Sequence, residues 1–128
     1  MKLLLDSHTL IWAVDEPARL SPTAPTLLQD PANQLLLSAA SVWETAIKVG
    51  LKKLDLTLRY QQWMSQAIAD LEHSLLPVTV EYANMQVGLP DHHRDPFDRL
   101  IISQALAEGV SVVGSDPIFD RYGIVRLW

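Results

Sequence analysis

The chain has 128 residues, a formal net charge of −5, 48% hydrophobic residues and no cysteine. That length fits one domain spanning 1–128, and that apolar share is enough for a buried core. The lack of cysteine excludes a disulfide framework and a thiolate metal site, and the acidic balance argues against a passive nucleic-acid-binding module, which needs a basic footprint.

Lys2 to Leu5 reads as a short buried strand ended by Asp6. Its three leucines are too few for a signal-peptide core, and no later run reaches the roughly 18 apolar residues of a membrane span. A cytoplasmic chain with no membrane role is the expectation. Thr9 to Val14 is predicted as a helical turn or two. Ser21-Pro22 opens a helix, with Ser as N-cap and Pro first, running to about Gln29. Gln34 to Leu37 is a second strand. Candidate caps at Ser38 to Ser41 introduce a helix that stops near Gly50. Within Arg59 to Glu72, the residues Tyr60, Trp63, Met64, Ala67, Ile68 and Leu71 have helical spacing. Ser74 to Pro77 is a short strand, Val80 to Val87 a short helix and Leu89 to Arg94 a polar loop. Asp95-Pro96-Phe97-Asp98 opens a helix that Gly109 closes. Val110 to Gly114 is a strand, Ser115 to Tyr122 a loop or short helix, and Ile124 to Leu127 a last strand. Strands alternating with helices predict a three-layer α/β/α fold with a central, mainly parallel sheet of four to five strands.

In such sheets ligands bind beyond the carboxyl ends of the strands. Asp6 ends the first strand, Glu44 lies in the first turns of the helix after the second, and Asp116 sits just past the fourth. Asp98 opens the helix leading into that fourth strand, and it shares the same edge if the third strand feeds the region. Taken singly, three have plainer uses. Asp98 suits a capping box, worth ~1 kcal/mol. Asp116 is a normal turn or N-cap residue, and Glu44 is spaced i, i+4 from Lys48. Asp6 is harder to dismiss, because an unpaired carboxylate so near a core is costly. The shared placement is what points to function. Clustered carboxylates repel one another, and a hard divalent cation such as Mg²⁺, which takes oxygen ligands and keeps waters, removes that repulsion. A cation so held polarises a phosphoryl oxygen and lowers the pKa of water, which is phosphodiesterase chemistry.

The stretches LLLDSHTLIWAV, LSAASVWETAIKVGLKKLDL, HHRDPFDRLIISQALAEG and VVGSDPIFDRYGIVRLW resemble PIN-domain proteins, specifically the toxin nucleases of VapBC-type toxin–antitoxin pairs. They cover most of the chain in family order. The resemblance implies a PIN-like fold and an endoribonuclease that hydrolyses RNA with Mg²⁺ or Mn²⁺. It implies Asp6, Glu44, Asp98 and Asp116 as the metal-binding, catalytic acids. It also implies a small VapB-like antitoxin as partner, and a homodimer. Ser7, Asp95 and Ser115 are expected to stand behind the acids and hold them by hydrogen bonds. Ser7 and Ser115 occupy places where Thr is commoner in the family, yet both keep a hydroxyl.

Other residues have two readings. Ser7 and Thr9 either bond Asp6 or serve turn and cap chemistry. Arg94 and Arg99 flank the third acid and suit substrate phosphate or surface ion pairs. His92-His93 lacks zinc-pair spacing and reads as solvated loop, with RNA contact as the minor option. Lys48, Lys52 and Lys53 are a solvated helix end or an RNA backbone contact. Trp12, Trp43, Trp63 and Trp128 read as core or interface ahead of base stacking, and the Tyr60–Leu71 stripe as mostly core. The rival function is a catalytically silent PIN-type scaffold that binds RNA or protein. A phosphoacceptor domain would need an acidic pair after the first strand and a late lysine, and no lysine follows Lys53. A haloacid-type phosphatase would need Asp-x-Asp, and position 8 is His.

Overall fold

A computed structural model describes residues 1–128. Its frame is a five-stranded parallel sheet of β1 (Lys2–Leu5), β2 (Gln34–Ser38), β3 (Ser74–Leu76), β4 (Ser111–Val113) and β5 (Arg126–Leu127). The strand order is β3-β2-β1-β4-β5, and every pairing is parallel. The helices are α1 (Ser7–Asp15), α2 (Ala24–Gln29), α3 (Ala39–Gly50), α4 (Tyr60–Asp70), α5 (Val80–Val87) and α6 (Pro96–Glu108), with 3₁₀ turns at Pro17–Arg19 and Pro117–Tyr122.

The leucine run of β1 is central because both faces of the sheet are covered. Side chains alternate along a strand. Leu4 packs on one face with Leu36, Ile101, Ile102, Val112 and Phe119. Leu3 and Leu5 pack on the other with Ala24, Leu28, Leu35 and Val113. A third cluster joins Leu10 and Leu37 to Trp63, Met64 and Ala67 of α4.

The expected three-layer α/β/α fold is present, with small shifts at element ends. α1 starts at Ser7 rather than Thr9, because Asp6 is already its cap. α2 starts at Ala24; Ser21 Oγ does accept from the Ala24 N–H at 3.2 Å, but Pro22 and Thr23 stay outside the helix. The route of Asp98 to the sheet's carboxyl edge also differs from expectation. α5 intervenes between β3 and α6, so the third strand does not feed α6 directly. Instead α6 feeds β4 through only Gly109 and Val110, with Gly109 left-handed at φ 64°. A helix that enters a parallel strand so directly must begin at the opposite, carboxyl edge. No helix is long and apolar enough to cross a membrane.

The sheet grows from β1 toward β2 and β3 on one side, then returns to place β4 on the other side of β1. The carboxyl end of β1 is therefore the topological switch point, where open α/β sheets bind ligands. Asp6 stands there.

Candidate active site

Two tight strand-to-helix turns carry the first two acids. β1 passes into α1 through Asp6 alone, and Asp6 Oδ1 accepts from the Ser7 N–H at 2.8 Å. β2 passes into α3 with no residue between, capped by Ser38, whose hydroxyl accepts from the Ala40 N–H at 3.0 Å. Glu44 follows on the second turn of α3. Both acids are buried, with relative exposures of 3% for Asp6 and 6% for Glu44. Buried carboxylates need partners. Ser7 Oγ lies 3.0 Å from Glu44 Oε1 and 2.8 Å from Ser41 Oγ. A hydroxyl has one proton, so Ser7 gives its proton to the carboxylate and accepts from Ser41. Lys48 Nζ sits 3.2 Å from Glu44 Oε2.

Asp6 extends the β1–β4 ladder, its N–H donating to the Val113 carbonyl at 3.0 Å. The next residue of β4 is Gly114, where an added Cβ would stand 3.0 Å from the Asp6 Cβ. Glycine permits this approach; any other residue would push on Asp6. Thr9 Oγ1 donates to the same Val113 carbonyl at 2.9 Å, so Thr9 steadies the end of β4. His8 Nδ1 lies 3.8 Å from Asp6 Oδ2, and the carboxylate raises the histidine's pKa above its usual value.

Asp98 completes the group from the first turn of α6. Asp95 caps this helix, accepting from Phe97 N–H at 2.9 Å and Asp98 N–H at 3.4 Å. Burial pushes the Asp98 pKa up to about 6, and the charges of Asp6, Asp95 and Glu44 push the same way. A hydrogen bond from His93 opposes them, with Nε2 2.7 Å from Asp98 Oδ2. The charges of Asp6, Glu44 and Asp95 therefore all reach Asp98.

Asp116 is less engaged. It is exposed and caps its own 3₁₀ turn, accepting from Ile118 N–H at 3.0 Å. No hydrogen bond joins it to the other acids, and its charge is not among those acting on Asp98. It stands two residues beyond Gly114, at the same edge of the sheet. Arg126 braces the approach to it, donating to the carbonyls of Gly114 at 3.3 Å and Ser115 at 3.4 Å while paired with Asp120. The Ser115 hydroxyl itself has no hydrogen-bond partner in the protein.

The donor set fits a hard divalent cation. It is rich in carboxylate oxygens, and a cation would offset both the burial that chiefly raises the Asp98 pKa and the smaller repulsion from Asp6, Asp95 and Glu44. The group of side chains whose ligand atoms all lie within 4.8 Å of one another is His93, Asp95 and Asp98; Asp6, Glu44 and Asp116 do not close to such a group with Asp98.

A family model described as PIN domain matches residues 3–125. The chain belongs to the PIN-domain family. This PIN domain is 31% identical over 115 residues to Ribonuclease VapC22 of Mycobacterium tuberculosis, across 89% of this chain and 86% of that protein. Among solved structures it superposes on VapBC2 of Rickettsia felis, bound to a DNA fragment from its promoter, with a TM-score of 0.67 at 17% identity, covering 99% of this chain and 98% of that one. DNA-bound VapBC of Salmonella typhimurium gives a TM-score of 0.67 at 18% identity, covering 99% and 97%.

Three features of this PIN domain were not evident from sequence. His93 is no solvated loop residue, since it bonds Asp98. Nothing in a His-His pair five residues before an acid signals that contact. Gly114 carried a readable sign, because a glycine ending a strand beside a candidate acid marks close backbone approach. Arg99, expected at phosphate or in a surface ion pair, donates instead to the carbonyls of Pro90 at 3.1 Å, His93 at 3.2 Å and Gln86 at 3.2 Å. It holds the loop that carries His93. Of the two expected substrate arginines, only Arg94 remains exposed and free of ion pairs. Trp63 is core, as expected, but Trp43 is not: it is 65% exposed.

Proposed function

We propose that this PIN domain, acting as one unit over residues 1–128, is the toxin endoribonuclease of a VapBC-type pair, working in the cytoplasm on RNA. Support comes from the relative named a ribonuclease and from the meeting of acids remote in sequence. The observation that carries the reading is Asp98, its pKa raised to about 6 by burial and, to a lesser degree, by three neighbouring carboxylates from distant parts of the chain. A silent scaffold has no need to bury Asp6 and Glu44 and accept that cost.

In this reading Asp6, Glu44, Asp98 and Asp116 would hold Mg²⁺, or Mn²⁺, which when bound supplies Lewis-acid polarisation of the phosphate and an acidified water. The chain's own residues set the geometry. Ser7 holds Asp6 through its N–H and Glu44 through its hydroxyl, so one residue fixes two acids. His93 holds Asp98 at Oδ2 and leaves its other oxygen for the site. Gly114 lets Asp6 reach the edge. A small VapB-like antitoxin is the proposed partner, in line with the VapBC complexes among the structural neighbours, and a homodimer the proposed assembly.

Purified chain, freed of antitoxin, is expected to cleave RNA with Mg²⁺ or Mn²⁺ and to stop in EDTA. Cleavage that persists in EDTA overturns the metal-dependent reading. Growth arrest on expression, relieved by the adjacent small reading frame, is the matching test in cells.

A further inference from the structure

Beside the acids runs an open groove of about 460 Å³, bounded by the last turns of α3 and the start of α6. Glu44 and Asp95 of the acidic group line it together with Lys48, Lys53, Arg94 and Phe97. Lys48 is paired with Glu44, but Lys53 and Arg94 form no ion pair. The chain carries a formal net charge of −5. Two unneutralised cations next to a cluster of carboxylates are therefore a local reversal of sign, placed where an anionic polymer would have to leave the acids. At the rim stands Trp43, 65% exposed, one helical turn before Ile47 of the groove wall. Its ring meets Phe97 edge to face, with centroids 5.6 Å apart and planes at 80°. That contact holds the ring on one side while most of the side chain stays exposed. An exposed aromatic ring so held beside spare cations is the arrangement that binds an unpaired nucleotide, with the base stacked and the backbone neutralised.

We propose that this groove is a nucleotide subsite flanking the scissile phosphate, in which Trp43, propped by Phe97, stacks one unpaired base while Lys53 and Arg94 hold the adjoining phosphates. The proposal rests on the ribonuclease reading and adds the residues that grip the substrate. The spare charge complements a polyanion, which favours an RNA strand over a protein segment as occupant.

The test is cleavage of a fluorophore-labelled single-stranded RNA by the full chain across a salt series. Lys53→Gln with Arg94→Gln is expected to lower kcat/KM at least tenfold at 0.1 M salt. It should also flatten the slope against log salt by about 0.7 for each cation removed. Lys2→Gln changes the same charge at the opposite, amino end of β1, and should leave the slope unaltered. Trp43→Ala should raise KM roughly tenfold, the scale of one lost base stack, with Trp43→Phe recovering most of it. RNA should quench the fluorescence of the unaltered chain, and Trp43→Phe should lose that quenching. All four positions are exposed, and melting temperatures check that the variants fold. Unchanged KM and salt slope overturn the subsite. So does a result in which the variants keep KM but release a small antitoxin, which assigns the groove to a protein. An unaltered chain that cleaves no RNA at all brings down the ribonuclease reading, a different failure from variants that match it.

Discussion

Asp98 illustrates how one side chain sets stability and activity against each other. Its pKa rises from 3.8 to about 6, so the folded chain holds this proton more tightly than the unfolded one. Raising pH from about 4 to about 6 therefore costs the metal-free protein stability, of order 3 kcal/mol for this group alone. Asp98→Asn removes that penalty. The variant is expected to melt higher than the unaltered chain in EDTA at pH 7, yet to lose cleavage by orders of magnitude and most of the stabilisation that Mg²⁺ confers. Asp116 is exposed and makes no bond to the other acids, so Asp116→Asn should cost activity less than Asp98→Asn. Equal losses would show that Asp116 moves inward when the site is loaded. Gly114→Ala puts a methyl 3.0 Å from the Asp6 Cβ. Cleavage should fall at least tenfold, with a smaller relative effect on melting temperature, because the push lands on Asp6.

At the scale of elements, the strand-to-helix joints explain what could be read in the sequence. A leucine run, a single acid and a helical pattern describe β1, Asp6 and α1 almost without remainder. The Asp-Pro-x-Asp opening and the Gly109 stop likewise placed α6 to the residue. Capping is local chemistry, so the chain shows it directly. Local partners, Ser7 for Asp6 and Lys48 for Glu44, were legible in the sequence, whereas Ser41 beside Ser7 and Gly114 beside Asp6 come from contacts across the fold, and the His93–Asp98 bond depends on an irregular loop. The contacts of Arg99 were not legible either, since two of its carbonyl partners, Pro90 and His93, lie in a loop with no periodicity and the third, Gln86, lies on α5. The α6 cap is open to test. Asp95→Ala removes the acceptor for two N–H groups and should cost about 1 kcal/mol. Asp95→Asn keeps a capping oxygen and should cost little. If the two variants melt alike, Asp95 does not stabilise α6 by capping.

For the molecule as a whole, two buried groups pull the pH profile in opposite directions. His73 lies buried between α4 and β3 with no well-formed hydrogen bond at either ring nitrogen, and burial lowers its pKa to about 4 against a smaller opposing pull from the Ala67 backbone. The folded chain thus carries fewer protons at His73 than the unfolded chain, whose value is 6.5. Raising pH from about 4 to 6.5 gains stability from His73 while Asp98 loses it. The two nearly cancel in the metal-free protein, so its melting temperature should be almost flat across that window. In Asp98→Asn the His73 contribution stands alone, and stability should climb with pH. A flat profile in that variant would mean that His73 titrates normally. The order of strands bears on synthesis as well. β4 is made about a hundred residues later than β1 yet sits directly beside it. Asp6 has no strand on that flank until residues 111–113 emerge. Under the proposed nuclease reading, a chain whose synthesis stops before residue 111 carries this acid without its flanking strand, and fragments ending there are expected to cleave nothing.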